Sequence, residues 1–523
     1  MATIAGLACE QYAIGTAEYE KRYEQFATSS FKSENRMRPA LIVFPKTKED
    51  ISKVVKHAKR HKIAVAIRTG GHQYSGASST FAPNIQLDLR TTFQGSDDRH
   101  IFEKNGKIFV RTSVSWSLGE FHDFLARYNL FITHGVCIDV GLGGHIQTGG
   151  YGLLLRSFGL FGDHIVSLEI IDHNGDVVEV TPTSDKDLFG AILGGSPGNF
   201  GVITHFTVQV YRDADYQGAR CLKALYWYDE KILKRLLDIG AEMADSADMG
   251  INYDYNVLVV SENSQFLSHI PELDARMRKE FPQYYGEDGR PNSPRAIIVY
   301  AQWVPLSKDD KCNESWFESI REGCVFDLPT MTRTLSALTG DWMLPVSREF
   351  ELPFIKGIQT SDSVSLVADD WARWASDRLD AIVKPDNGCH LSSHFMFGGR
   401  NSKFKSNASN GTSYSWRDTT VLWTMDIYYT PGHKQDAVEW RTRTLQEGIG
   451  PNGKFCKKDR RFLWGSQDGF DLDADWRHYY EDETKYNQLK SVRTRADPDG
   501  TFTPNTFSVA RNHTCAKTDL SRL

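Results

Sequence analysis

Between residues 40 and 90 the chain alternates short apolar runs with a helical pattern: "ALIVFP", then "KEDISKVVKHAKRH", then "IAVAIR", and later "IQLDL". Strand-length apolar runs separated by an amphipathic helix read as a βαβ arrangement. The loop after "IAVAIR" then sits at the C-terminal end of a strand. It reads "RTGGHQYSGASS", with Gly70 and Gly71 followed directly by His72. Glycine pairs admit backbone geometries that other residues resist, and they let a backbone approach a ligand closely. A histidine there reads as a cap, a turn residue or a reactive group.

Further along, "KIFVRTSVSW" is extended and "SLGEFHDFLARYN" helical, with Ser117 placed to cap the helix and Glu120 to complete a capping box. A glycine-dense stretch follows at residues 135 to 152, "GVCIDVGLGGHIQTGGYG". "IVSLEIIDHNGDVVEVT" predicts a hairpin turning at Asn174-Gly175, and "NFGVITHFTVQVY" another strand. From about residue 210 to 465 the texture changes to aromatic strands ("CLKALYWY", "RAIIVYAQWV", "HLSSHFMFGG", "TVLWTMDIYYT") and helices such as "EKILKRLLDIGAEMA". A large sheet with helices is expected there, and "DPDGTF" in the tail reads as a turn.

A chain of 523 residues is long enough for two or more domains with a sizeable core. The boundaries expected are 1–208 for a first domain, 209–470 for a second, and 471–523 for a segment returning to the first. A formal net charge of −6 disfavours a nucleic-acid binder, and no apolar run is long enough to span a membrane. "MATIAGLACEQYAIG" lacks a basic n-region and a long apolar core, so no secretory signal is expected. The eight cysteines contain no C-x-x-C pair, which argues against a zinc site or a disulfide framework. Sequons at Asn313, Asn407, Asn410 and Asn512 matter only in the secretory pathway. The last three residues, Ser521-Arg522-Leu523, keep the small–basic–Leu pattern of a peroxisomal address, which implies the peroxisomal import receptor as partner and a peroxisomal rather than cytoplasmic location.

Three motifs have ordinary readings. "GGSPG" at 194 to 198 fits the hydrolase elbow pattern, but Pro197 and a strand follow Ser196 where a helix is required. His57 and His61 are one helical turn apart among lysines, a solvated face rather than a metal site. "GLGGHIQTGG" lacks the G-x-G-x-x-G spacing and lies far from the first strand, which disfavours a nicotinamide dehydrogenase. Two loops remain. The first can offer successive N–H groups to an anion such as a pyrophosphate; the second, poor in side chains, can lie against a flat ring. Taken singly, His72 fits a turn and Cys137 a buried inert thiol equally well.

Together, "RTGGHQYSG" and "GVCIDVGLGGHIQTGGYG" resemble the vanillyl-alcohol-oxidase superfamily, specifically its berberine-bridge-enzyme-like branch. The resemblance continues through "GLFGDHIVSLEIIDHNGDVVEV", "DLFGAILGGSPGNFGVIT" and "YYEDETKYNQLKSVRTRADPDGTFTPN". It implies an α+β chain: a two-part PCMH-type FAD-binding domain and a substrate domain with a large antiparallel sheet and helices. His72 matches the histidine bonded to the flavin 8α-methyl and Cys137 the cysteine bonded to flavin C6. By the same likeness Arg68, Thr69, Gly70, Gly71, Gln73, Tyr74 and Ser75 cradle the pyrophosphate. Gly141, Gly143, Gly144, His145, Gly149, Gly150 and Gly152 pass along the ring and ribityl chain, and Gly201, Val202 and Ile203 approach the adenine. Val140 matches a position gating oxygen, where a small side chain implies an oxidase, although an ordinary core valine reads the same. Tyr74 matches a substrate-facing tyrosine.

One departure stands out. Many relatives carry a Tyr-x-Asn motif whose tyrosine is the catalytic base; here Trp464 and Ser466 occupy those places, and an indole accepts no proton. Tyr479 and Tyr480 are the nearby candidates, leaving the base open. The expected activity is hydride transfer from a small-molecule substrate to flavin N5, with O2 reduced to H2O2. The substrate class favoured is a secondary metabolite, with oxidative cyclisation as one outcome. An oligosaccharide or alcohol oxidase is the alternative within the fold, and a flavin-bearing binding protein without turnover the alternative outside it. No metal is expected. The aromatic strands suit an aromatic-lined pocket or aromatic core packing.

Overall fold

In the first sheet, β2 (Leu41–Phe44) and β3 (Val65–Arg68) flank β4 (Ile85–Asp88) in parallel, and β1 (Glu10–Ala13) closes the edge antiparallel to β2. The expected crossover is the helix Lys48–His61, which buries Ile51, Val54, Val55 and Ala58 along one stripe. Thr47 and Asp50 form a reciprocal capping box at its start, and Lys62 ends it at φ 54°. The computed structural model describes residues 3–24, 38–74, 76–262, 271–290, 292–332, 334–341, 343, 352–367, 370–383, 388–465, 471–502 and 506–511. Ser75, Ser466, Asn512, Cys515 and Ser521-Arg522-Leu523 lie outside the described residues.

The second sheet runs β5 (Arg99–Lys104), β6 (Lys107–Ser113), β10 (Val202–Arg212), β8 (Ile165–Ile171), β9 (Val177–Val180), with β7 (Leu130–Phe131) also on β10. β8 and β9 are the expected hairpin, with Gly175 at φ 79° and Asp172 Oδ1 accepting from the Asn174 and Asp176 N–H groups at 2.8 and 2.9 Å. The helix Leu118–Ala126 carries the expected Ser117–Glu120 capping box.

The third sheet is the large antiparallel one. Its seven strands are β11 (Arg220–Trp227), β12 (Tyr253–Val260), β13 (Ala296–Trp303), β14 (Phe326–Thr332), β15 (Phe354–Ser361), β16 (Cys389–Phe397) and β17 (Val421–Tyr429), in the order β14-β11-β13-β12-β16-β17-β15. Side chains alternate between its faces. On β16 and β17, Leu391, Phe395, Phe397, Trp423, Met425 and Ile427 enter an apolar core, which the helices Glu230–Asp245, Trp371–Val383 and Lys434–Gly448 cover. The intervening residues turn to the opposite face. The tail, after the helix Glu483–Ala496, comes back to the first sheet: the Val65 N–H donates to the Thr501 carbonyl at 2.7 Å, and Ser196 Oγ donates to the Phe507 carbonyl at 2.6 Å. This last bond leaves Ser196 a buried structural hydroxyl. "DPDGTF" is the expected turn, with Gly500 at φ 71°. Among the described residues every cysteine is a free thiol, no group of His, Cys, Asp and Glu could hold a metal, and no helix is long and apolar enough to cross a membrane.

Candidate active site

The two glycine loops meet because neither has a side chain where they touch. A Cβ on Gly70 would run into Gly141 N, and one on Gly141 into Gly70 N and Thr69 Oγ1. Gly143 lies against Thr69 and Val114, where a Cβ would stand 3.0 Å from Thr69 Cγ2. Gly144 differs: a Cβ there would find nothing within 4 Å, although the residue lines a cavity of about 280 Å3. The loop beside the glycines therefore leaves an open face against which a flat group can lie. The stretch Leu142–Gln147 is a short helix, begun by Gly141 and ended at Thr148.

Of the residues assigned to the cofactor, Thr69, Gly70, Gly71, His72, Gln73, Tyr74, Cys137, Val140, Gly141, Gly143, Gly144, His145, Gly150, Gly152, Gly201 and Ile203 all line this one cavity. Three described ones do not. The guanidinium of Arg68 is 1% exposed, paired through Nε with Asp88 at 2.7 Å, and donates from Nη2 to the Arg22 carbonyl at 2.7 Å, so it is a core cation and reaches no anion in the cavity. Gly149 faces the Tyr151 ring, and Val202 is buried in β10. Nor are Tyr479 and Tyr480 in the cavity wall: both are buried in the core, and Tyr480 Oη donates to the Gly194 carbonyl at 3.4 Å. Trp464 does line the cavity, and its Nε1 is buried without a hydrogen-bond partner among the described residues.

The opposite wall is the inner face of the seven-stranded sheet, which sequence reasoning left unassigned. Register puts Lys356 of β15 directly across from Asp426 of β17, and Asp426 across from Ser392 of β16. One step along, Thr424 faces His394, and one step the other way Phe354 faces Tyr428. The alternation of "LSSHFMF" and "TMDIYY" carried this signal, because polar residues at period two in strands otherwise apolar must face something polar. Lys356 Nζ and Asp426 Oδ1 form an ion pair, and Lys356 is 5% exposed. The ammonium also lies 4.8 Å from the Tyr74 ring centroid and 5.5 Å from that of Trp464. Tyr74 packs edge-on against Phe354 at 5.7 Å, and Gln73 Nε2 donates to the Leu463 carbonyl at 2.7 Å, tying the first loop to the segment bearing Trp464.

Lys356 is the charge about which the site is organised. Burial, with this cation second, pushes His72 down to about 3 and His394 down to about 4, so both imidazoles are neutral. His72 donates to the Asp139 backbone carbonyl, which lies two residues beyond Cys137. Burial raises the Cys137 thiol to about 11, against the pull of Lys356. Burial first, then Asp426 and Cys137, hold the Tyr74 phenol well above its ordinary range, so it is a donor and not a base.

Residues 39–181 match the FAD binding domain family. The chain is 28% identical over 304 residues to berberine bridge enzyme-like 18 of Arabidopsis thaliana, covering 55% of this chain and 51% of that protein. It is 31% identical over 195 residues to aclacinomycin-N/aclacinomycin-A oxidase of Streptomyces galilaeus, covering 36% and 35%. The matched segments thus span a third to about half the length of these relatives. A structure of the glucooligosaccharide oxidase from Acremonium strictum, described with a 6-S-cysteinyl, 8α-N1-histidyl FAD, superposes at a TM-score of 0.70 with 15% identity, covering 96% of this chain and 97% of that one. This last likeness shows the same fold.

Proposed function

We propose that this relative of the berberine bridge enzyme-like proteins, with its FAD binding domain, is an FAD-dependent oxidase of a small-molecule substrate that holds its cofactor through both His72 and Cys137. One observation carries the reading: the loops bearing His72 and Cys137 line one side of a cavity whose other side carries the Lys356–Asp426 pair. The residues fit a flavin, since Gly144 leaves open space where any side chain would intrude. Bound FAD would supply the two-electron acceptor and its regeneration by O2, with peroxide as product.

The chain's own residues supply the rest. His72 is oriented by its bond to the Asp139 carbonyl, and Thr69, Gly70 and Gly71 bring the backbone of the first loop to the cavity. Asp426 is the proton acceptor that the Tyr-x-Asn motif would otherwise provide: Lys356 holds Oδ1, and Oδ2 takes the proton from a substrate hydroxyl or amine. Tyr74 donates to the substrate, and Trp464 offers an N–H that has no partner among the described residues. Tyr74, Phe354, Tyr428 and Trp464 form an aromatic wall suited to a planar secondary metabolite. A second reading, an oligosaccharide or alcohol substrate, is favoured by the row of Ser392, Thr424 and His394. Ser521-Arg522-Leu523 is taken as a peroxisomal address, where peroxide would be handled.

The test is direct. Acid-denatured protein should keep yellow colour on the polypeptide, and peptide mass mapping should find flavin on the fragments bearing His72 and Cys137. Peroxide release with phenolic, alcohol and oligosaccharide panels then separates the substrate readings. A reducible flavin that releases peroxide with none of them would make this a binding protein, and two unmodified fragments would end the covalent reading.

A further inference from the structure

We propose that His122 and His134 are positioning residues for Cys137: they clamp the segment that carries it and so set where its sulfur stands. The inference rests on the reading that Cys137 bonds the cofactor.

The downstream flank of Cys137 is held by the start of the helix Leu118–Ala126. Its first-turn N–H groups lack intrahelical partners; those of Leu118 and Gly119 donate to the Val140 and Ile138 carbonyls at 2.8 and 2.9 Å. The upstream flank is the Gly135 peptide, and imidazoles hold both its ends. Its N–H donates to His145 Nε2 at 3.3 Å, and its carbonyl accepts from His134 Nδ1 at 2.7 Å.

These contacts fix the tautomers. A peptide N–H can only donate and a carbonyl only accept, so His145 Nε2 is bare and His134 Nδ1 carries hydrogen. Burial keeps His134 neutral, pushing it down to about 3, so its Nε2 must be an acceptor. The 3.1 Å contact from that atom is to His122 Nδ1, which must therefore carry hydrogen. His122 sits on the same helix whose N-terminus holds Ile138 and Val140. One helix thereby grips both flanks of Cys137, directly at its first turn and through two imidazoles at its second. The packing leaves little slack: a Cβ on Gly340 would stand 2.8 Å from His122 Nε2, and one on Gly152 would run into the His134 carbonyl oxygen. A displacement of about 1 Å can cost a reaction two orders of magnitude, so attachment at Cys137 is the step that reads this clamp.

The experiment uses full-length protein produced with ample riboflavin and measures, by peptide mass mapping, the share of Cys137 fragments and of His72 fragments carrying flavin. His134→Phe and His122→Phe should lower the Cys137 share at least tenfold and leave the His72 share within twofold of wild type. His122→Asn, whose Nδ2 can still donate to His134, should recover most of it. Cooperative thermal melting of each variant establishes that it is folded, and His122→Phe, which leaves the Gly135 contacts in place, carries the test where His134→Phe does not accumulate. An unchanged Cys137 share in the Phe variants overturns the proposal, as does parallel loss at His72 and Cys137, which would mean a general structural role. Wild-type protein with no flavin on Cys137 overturns it by removing the covalent reading itself.

Discussion

Gly144 and Gly141 stand three residues apart in one loop and predict opposite outcomes. Alanine at Gly144 adds a methyl to open space and removes a glycine from a helix, which favours the cofactor-free fold by up to about 1 kcal/mol. The same methyl fills the face offered to the flavin, so flavin per chain should fall sharply while the cofactor-free melting temperature holds or rises. Alanine at Gly141 collides with Gly70 N and Thr69 Oγ1, so it should cost about 1–3 kcal/mol before any cofactor is added. Absorbance per chain and thermal melting of both variants check this; equal flavin loading in Gly144→Ala and wild type would mean the open face is not where the ring lies. These glycines, with His72 and Cys137, were legible in the sequence because the signal is local. Arg68 was not. It shares the loop's composition, but its partner Asp88 sits opposite it on β4, and strand register is not written in either strand alone.

The seven-stranded sheet poses the same problem at the scale of elements. Its strands were legible from aromatic and β-branched runs, yet their order was not, and only the order brings Lys356 of β15 beside Asp426 of β17. Proximity in sequence to Trp464 points to Tyr479 and Tyr480, whereas the cavity's carboxylate comes from a strand some forty residues earlier. Breaking a buried pair by removing one partner costs about 3–5 kcal/mol, because the other charge is left alone in a poor solvent. Asp426 is partly open to the cavity, so Lys356→Met and Asp426→Asn should each fall at or below the low end of that range. The exchanged double variant, Lys356→Asp with Asp426→Lys, should regain most of the stability, as expected for directly coupled neighbours. Turnover should not return with it: Asp426→Asn and the exchanged variant should lose about 10²–10⁴ in kcat, with flavin content kept. Urea titration and steady-state kinetics on wild type and these variants check both expectations, and full activity in Asp426→Asn would remove it as the proton acceptor.

At the scale of the whole molecule, the cavity is enclosed only when residues from Ile67 to Ile203 meet residues from Leu258 to Trp464, and this enclosure makes the fold sensitive to acid. His134 and His145 on the loop side are pushed down by burial to about 3 and about 4, and His394 on the sheet side by burial and Lys356 to about 4, all from an ordinary 6.5. Unfolded, each imidazole takes a proton as the pH falls through 6.5; folded, none does until pH 4 or lower. The unfolded chain therefore binds the extra protons between those limits, and folding stability, fully present above pH 6.5, is lost as the pH falls toward 4. The loss is about 1.4 kcal/mol per pH unit for each imidazole. Glu169, held below its ordinary 4.5 by hydrogen bonds from His205 and Lys48 that outweigh its burial, adds to the loss only below that value. Asp254, raised by burial from 3.8 to about 6, and Asp245, also raised by burial, bind their protons in the folded state first and oppose the trend, while His72, pushed down by burial to about 3, adds to it. Urea midpoints should consequently be level from pH 7.5 to 6.5 and fall steeply from 6.5 to 4.5. His394→Gln, which removes one of these imidazoles, should make that descent shallower by about one proton, and a midpoint flat to pH 4.5 would mean that these side chains are open to water in the folded protein.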